Sequence, residues 1–364
     1  MSAQALPFGA DPPGLDYARH PYPLLAQLRD IAPRYHVPGR NAWFFSAHAD
    51  IAALLRDDRM GITQASSFSD QSDAFRATVA RRLRAWFGSS GALLEQTVSA
   101  VIRDCLADVG KQGGGDLVPA VAHAVPLRVM ASLLGIPVHD LAPLQRVAEN
   151  LLQTYDLDWA GRPAPAAPAP HVLGLYFQQH WRSAPSTPLM EMLRAAAAEF
   201  DLPPASMVDT CSKLFTAGTT TTAACIANIL ARLVETPDNA GNRQSPWSVE
   251  DLLRLDAPIL AIKRVARSEV ALGDSVIHPG EKAYLLIGTA NRPSVDDRAG
   301  PSLTFGLGRY HCLGAALARL EIAALVEAFR PLAPQIRLAG PVQWREAWLL
   351  HEARSLPVKL QWRN

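Results

Sequence analysis

The chain has 364 residues, 49% of them hydrophobic, and a formal net charge of +1, which is enough apolar material for a sizeable core. Near-neutral charge and the lack of a lysine-rich tail give no reason to expect nucleic acid or an acidic surface as partner. The cysteines Cys105, Cys211, Cys225 and Cys312 are scattered without paired spacing, which argues against a disulfide framework and for a reducing cytoplasm. The opening MSAQALPFGADPPGLD has neither a basic start nor an apolar run of signal-peptide length. No later stretch reads as a membrane span, so no membrane anchor is expected.

After a proline-bearing arm, Pro21 to Ile31 reads as a short amphipathic helix. Arg34 to Val37 and Ala42 to Ser46 read as a small hairpin turned at Gly39, followed by a helix from Ala47 to Asp57. Gly61 to Ser72 is polar and reads as a loop. Asp73 to Phe87 is helical in pattern, with Val79, Leu83, Trp86 and Phe87 as its apolar stripe. Its arginines, Arg76, Arg81, Arg82 and Arg84, read on composition alone as a solvated face. Ala92 to Lys111 and Leu117 to Leu134 are long periodic helices that serve as scaffold, the first ended by Gly113 to Gly115. The run AGRPAPAAPAP between Trp159 and Pro170 holds too much proline for a helix and is either a mobile connection or a linker between domains. Leu189 to Phe200 is a helix closed by Leu202, Pro203 and Pro204.

Ser206 to Glu235 contains almost no breakers and predicts a helix of about 45 Å. Its centre, Ala217-Gly218-Thr219-Thr220-Thr221-Thr222, is a poor helix sequence, because glycine costs stability and threonine hydroxyls bond to the preceding turn. Such a weakness is either a packing notch for a passing element or an opening with a function. In Ser248 to Leu255, Asp251 and Arg254 are spaced to pair on one helix face. Ser275 to Ile287 reads as a hairpin turned at Pro279-Gly280. Beyond Pro331 the chain reads as short strands.

The stretch from Phe305 to Gly314, FGLGRYHCLG, carries most of the chemistry. Gly306, Gly308 and Gly314 permit positive φ or close backbone approach. Cys312 stands at the mouth of a helix predicted to begin near Leu313, where backbone amides favour a thiolate that would ligate iron. A lone cysteine in a glycine turn would read as a small buried hydrophobe; the spacing decides otherwise.

Phe-Gly-x-Gly-x-x-x-Cys-x-Gly, followed by Ala315, Leu317, Ala318, Arg319 and Glu321, closely resembles the haem-ligand loop and following helix of the cytochrome P450 family. The resemblance extends over nearly the whole chain and is strongest from Ser206 to Arg330. It implies one mainly α domain, 1–364, with a small β portion and a lid-like loop at about 159–170. Haem b would lie between the long distal helix and the Cys312 loop with its helix, Cys312 being the axial metal ligand. Ala217 and Gly218 would open a groove over the iron, and Thr221 would hydrogen-bond dioxygen. Thr220 falls where the family usually has an acid. A hydroxyl is no proton reservoir near neutral pH, so protons would come through water, a substrate group or another side chain.

The resemblance further implies that Arg264, Tyr310, Arg76 and Arg81 hold the haem propionates, with Phe305, Gly306 and Gly314 forming the haem loop. Tyr310 replaces a usual His or Arg, and Asp251 a usual Glu that would pair with Arg254. Leu260, Ala261 and Ile262 would face the distal pocket, into which Trp348 to Leu350 would also turn. Ala290 to Pro293 would begin a shortened meander. Arg309, Arg319 and the Arg81 to Arg84 cluster would dock an acidic ferredoxin.

The function implied is a cytoplasmic haem-thiolate mono-oxygenase with no membrane or nucleic-acid partner. It would take electrons from NAD(P)H through a ferredoxin and its reductase. Its substrate would be a small organic molecule of secondary-metabolite biosynthesis, free or tethered to a carrier protein. Thr220 motivates one alternative, an enzyme of the same family that uses peroxide or catalyses dehydration, rearrangement or ring formation. The short meander motivates another, a non-catalytic partner protein.

Overall fold

The computed structural model describes residues 15–62, 73–159, 169–183, 185–236, 247–292 and 300–361. Most of the Gly61 to Ser72 loop, the proline-rich loop and the meander from Pro293 onward lie outside the described residues, as do the side chains of 73–76, including Arg76.

Two helices, α1 (Leu15–Arg19) and α2 (Tyr22–Ile31), lead into antiparallel strands β1 (Arg34–Val37) and β2 (Ala42–Phe45). Then come α3 (His48–Arg56), β3 (Met60–Gly61), α4 (Asp73–Ser89) and α5 (Gly91–Lys111). A glycine turn with positive φ at Gly113, Gly114 and Gly115 ends this run at β4 (Gly114–Asp116). The helix expected from Leu117 is in fact composite. Val118–His123 winds as a π-helix before α6 (Ala124–Leu134). Pro119 and Pro126 lack backbone N–H groups, which favours the wider winding there.

Helices α7 (Leu141–Trp159), α8 (Ala169–Ser183) and α9 (Pro188–Glu199) precede α10 (Pro204–Glu235), a helix of 32 residues. Helix α10 runs through the largest apolar cluster, where Phe215, Ile226, Ile229 and Leu230 are fully buried. Contrary to the sequence reading, α10 is long and apolar enough to cross a membrane, but 72% of its most apolar window is buried against the rest of the protein. Its hydrophobicity all round is that of a core helix.

The strands form a five-stranded sheet in the order β1-β2-β8-β5-β3, with β5 (Ile262–Ala266) and β8 (Lys282–Leu285). Only the β2–β8 pairing is parallel. The hairpin expected at Pro279-Gly280 is displaced. Strand β7 (Ser275–Ile277) pairs instead with β6 (Val270–Leu272) through Gly273 at φ 57°, and β8 is taken up by β2 and β5. Gly273 supplies the positive φ that a two-residue turn needs, so it outcompetes the longer connection.

Near the C-terminus, β9 (Ile336–Leu338) and β12 (Pro357–Leu360) form a sheet with β4 in the order β4-β12-β9. Strands β10 (Gln343–Trp344) and β11 (Ala353–Ser355) form a separate pair.

The short helix Val249–Leu255 corrects one expected pair. Asp251 does not engage Arg254 but closes a capping box with Ser248, accepting from the Ser248 N–H at 2.9 Å and from its hydroxyl at 2.7 Å. Arg254 donates instead to the carbonyls of Asn291 at 2.5 Å and Gly300 at 3.0 Å. A carboxylate at the third helical position meets orphan N–H groups and the positive end of the dipole, which outweighs an i,i+3 reach to arginine.

Candidate functional site: a cavity between a cysteine loop and the central helix

A cavity of about 800 Å³ lies between α4, α10, the segment 257–262, the loop 304–314 and the helix Ala315–Phe329 that follows it. Its α10 wall presents Ala217, Gly218 and Thr221, and its opposite wall presents Phe305, Gly306, Tyr310, Cys312 and Gly314. Sequence positions about ninety apart thus line one cavity. Val79, Leu83, Phe87, Leu214, Ile259 and Ile262 supply apolar lining, with Thr210 and Lys213 at a polar edge.

The cysteine loop is tied by local backbone bonds. Cys312 N–H donates to Phe305 C=O at 2.9 Å, and Gly306 N–H to Leu303 C=O at 2.8 Å. Gly306 and Gly308 have φ of 66° and 67°, the left-handed conformation that favours glycine. At Gly308 an added Cβ would also come within 2.7 Å of Leu55 O. Gly314 instead has φ −87° and caps the following helix, and a Cβ built there would meet no atom within 4 Å. Space in front of Gly314 therefore belongs to the cavity.

Cys312 is open to the cavity but surrounded by protein. Burial pushes its thiol up from the ordinary value, against a Gly314 amide hydrogen bond and the charges of Arg319 and Arg84, which favour the thiolate. The polypeptide by itself thus falls short of the thiolate expected from the helix N-terminus; a coordinated cation would supply what is missing.

Gly218 is a packing notch that also opens onto the cavity. It lines the cavity, and a Cβ there would come within 2.9 Å of Met130 Sδ from α6. Thr221 Oγ1 donates to Ala217 O at 2.8 Å. Thr220 departs from expectation. Its hydroxyl donates to Thr216 O at 2.8 Å and it lines a separate small cavity on the other side of α10.

Arg81 and Arg84 of α4 are both exposed, and of the two Arg84 lines the main cavity. Arg82 pairs with Glu199 and lies 5.5 Å over the Phe200 ring. The missed signal was spacing: Arg84 continues the face of Ala80, Leu83 and Phe87, so i+4 and i+3 neighbours set it on the cavity wall although it stays exposed. Arg319 likewise engages Glu250 at 2.6 Å and covers the Phe305 ring at 4.5 Å. Of the expected distal residues, Ile262 lines the cavity with Ile259, whereas Leu260 and Ala261 pack into the N-terminal cluster. Trp348 and Leu349 join that same cluster, and Leu350 packs on Ala224 and Ile259, so none of the three turns into the cavity.

Arg264 is 6% exposed, lies 5.1 Å over the Tyr310 ring, and has no hydrogen-bond partner at Nε. Its Nη1 donates to Lys263 O at 3.0 Å; desolvation by burial lowers its pKa to about 10, leaving a cation at neutral pH with no carboxylate paired to it among the described residues. The Tyr310 hydroxyl accepts from Arg267 at 3.2 Å. Among the described residues no three His, Cys, Asp or Glu side chains are grouped to hold a metal ion, so a metal at Cys312 would take its other ligands from a prosthetic group. A flat metalloporphyrin with acidic side chains suits these features. Cys312 would hold its metal, the side-chain-free Gly314 would leave room beside it, and Arg264 would meet one of its carboxylates.

A mainly helical chain with such a cavity between a long helix and a glycine-bound cysteine has the arrangement a haem-thiolate protein requires. No protein-family model matches the chain. It is 29% identical to nocardicin C N-oxygenase of Nocardia uniformis subsp. tsuyamanensis over 98% of each chain. It is 26% identical to the biotin biosynthesis cytochrome P450 of Bacillus subtilis, over 91% of this chain and 93% of that one. Among solved structures, Mycobacterium smegmatis CYP164A2 superposes with a TM-score of 0.83 at 25% identity, covering 95% of this chain and 97% of the other. These relatives and solved neighbours are cytochrome P450s, and the chain is similar to that family in its bacterial form over nearly its whole length. Fold and family imply a haem with cysteine ligation.

Proposed function

We propose that the protein is a cytoplasmic mono-oxygenase that binds haem b through Cys312 and oxidises a small, largely apolar molecule of secondary metabolism. The observation that carries this reading is the placement of Cys312 opposite Ala217, Gly218 and Thr221 across one cavity. When bound, the haem supplies dioxygen activation. Arg264 and Tyr310 hold a propionate, with Arg84 from α4 in place of Arg76 or Arg81. Ala217 and Gly218 keep α10 free of bulk beside the cofactor. Thr221 uses its hydroxyl proton on Ala217 O at 2.8 Å, leaving lone pairs to orient a donor in the cavity. The apolar walls exclude water, and Thr210 and Lys213 meet the polar end of a substrate. Electrons come from NAD(P)H through a ferredoxin and its reductase, the acidic ferredoxin meeting the cationic rim that includes Arg84 and Arg309.

The absorption spectrum of the reduced protein with carbon monoxide tests the haem assignment. The wild type shows the thiolate-type band and Cys312→Ser loses it; a band retained in Cys312→Ser refutes the ligand. A ligand screen for spin-state shifts, run with free acids and with the same acids on a carrier protein, separates the two substrate forms. A second reading, peroxide use or a reaction without oxygen insertion, is favoured by the lack of any Asp or Glu among the described α10 residues lining the cavity. Heavy-isotope dioxygen separates the readings: labelled product supports mono-oxygenation, and unlabelled product supports the second.

A further inference from the structure

Thr210, Lys213, Ala217 and Thr221 follow one another along α10 at helical spacing, which sets them on one face, and all four line the main cavity. Among the described residues, Lys213 is the one charged side chain on this wall; Leu214, Ala217 and Gly218 beside it are apolar or bare. Thr210 and Thr221 each use the hydroxyl proton on a carbonyl of the preceding turn, Ser206 O and Ala217 O, both at 2.8 Å. Charged donation to a ligand from this wall therefore falls to the lysine.

Lys213 is held in place. Its Nζ donates to Asp209, one turn earlier, at 3.2 Å. The ammonium carries three N–H donors on a side chain 44% exposed, so the Asp209 bond orients it without closing it to a ligand. The other cations of the cavity belong to its opposite wall. Arg309 is part of the cysteine loop, and Arg84 donates to His311 O of that loop at 3.5 Å. The one carboxyl among the described lining residues is Glu321, in the helix after Cys312. It is 1% exposed, and burial raises its pKa to about 8, so it is neutral at pH 7. The lining thus offers cations to an incoming anion and no carboxylate to repel it.

We propose that the cavity takes a free carboxylic acid with a long apolar tail, its carboxylate held by Lys213 and its chain running along α10 toward Thr221. The two positions are about 12 Å apart along the helix at 1.5 Å per residue. An extended chain of about ten carbons covers that span at about 1.2 Å per bond, the advance of an extended backbone. Val79, Leu83, Phe87 and Leu214 receive the tail. A thioester on a carrier protein has no carboxylate, so Lys213 selects the free form of the substrate over the tethered one. Lys213 sets specificity and the position of attack, and it touches no reacting atom. The inference rests on the mono-oxygenase reading of the same cavity and narrows its substrate class.

The test titrates the haem-loaded full chain with dodecanoic acid and dodecanamide, which differ in charge and hardly in shape. Calorimetry reads the binding, whatever ligates the iron. The wild type binds the acid at least about tenfold tighter than the amide, as a charged hydrogen bond predicts. Lys213→Met loses that preference and binds the amide no more weakly than the wild type does. Lys213→Arg keeps the preference, and Lys213→Glu binds dodecylamine ahead of the acid. In turnover with NADH, a ferredoxin and its reductase, dodecanoic and tetradecanoic acids are oxidised at the same carbon counted from the carboxyl, and Lys213→Met spreads the products. Equal affinity of the wild type for acid and amide, an acid preference retained in Lys213→Met, or attack at a carbon fixed from the methyl end overturns the inference alone. Absence of the thiolate-type band, with the acid preference intact and dependent on Lys213, overturns the mono-oxygenase reading and leaves the carboxylate subsite standing.

Discussion

Glu321, which lines the main cavity, and Arg264, which lies over the ring of the cavity-lining Tyr310, are buried ionisable residues whose states follow from their surroundings. For Arg264 the missing partner is an anion, and a charged hydrogen bond is worth about 1.5–3 kcal/mol. Arg264→Gln should therefore release haem about ten- to a hundredfold faster, as measured by transfer to apomyoglobin. Glu321 is 1% exposed, and its Oε2 has no partner. Burial raises its pKa from the model-compound value of 4.5 to about 8, so the carboxyl is neutral at pH 7. Its contribution to stability is full below the unfolded-state value and is lost as pH rises toward 8, because the unfolded chain ionises first. Denaturant titrations of wild type should show stability falling over that window, and Glu321→Gln should flatten the fall. The cysteine and its glycines were readable because the loop's chemistry is local. Arg84 was harder to find, since helix register, rather than the presence of arginine, decides which guanidinium reaches the cavity.

At the scale of elements, the helix Val249–Leu255 shows how a short segment is held by its first turn. Ser248 Oγ accepts from Asp251 N–H at 3.1 Å while Asp251 answers to Ser248. Ser248→Ala should lower stability by about 1 kcal/mol in thermal melts, the ordinary cost of a lost cap. Helix α10 is less forgiving. Phe215 is fully buried and sits 5.9 Å from the Phe177 ring, so Phe215→Ala should lose about 3–5 kcal/mol by the same measurement. Long helices such as α5 and α10 were legible because their periodic patterns run on for many turns. The β6–β7 hairpin was not, because two glycine turns competed and the pairing was settled by strands distant in sequence. Asp251 was misassigned for a related reason: its spacing to Arg254 and its spacing to the cap are both permitted by a helix, and only the closed turn chooses.

Across the whole molecule, His351 ties the ends of the chain to the centre. Its ring stacks on Trp344 at 4.6 Å, lies 5.6 Å from Tyr22, and approaches Asn228 of α10 at 3.4 Å. Burial, with the nearby charges of Arg292, His20 and Arg232, lowers its pKa to about 3 against an opposing bond to Arg19 O. A folded value below the unfolded 6.5 means that stability is complete above 6.5 and is lost as pH falls toward 3. His351→Gln should blunt this acid loss in denaturation followed by circular dichroism. Such a link between distant segments leaves no sequence trace, since its partners lie at positions 22, 228 and 344. The buried guanidinium of Arg264, with no carboxylate paired to it among the described residues, has one more consequence, for biogenesis. A chain that encloses an unanswered positive charge is incomplete until pigment arrives, so cellular abundance should follow iron and tetrapyrrole supply. Cells starved of iron should carry less of this polypeptide at equal messenger level, because quality-control proteases clear the unfilled form faster.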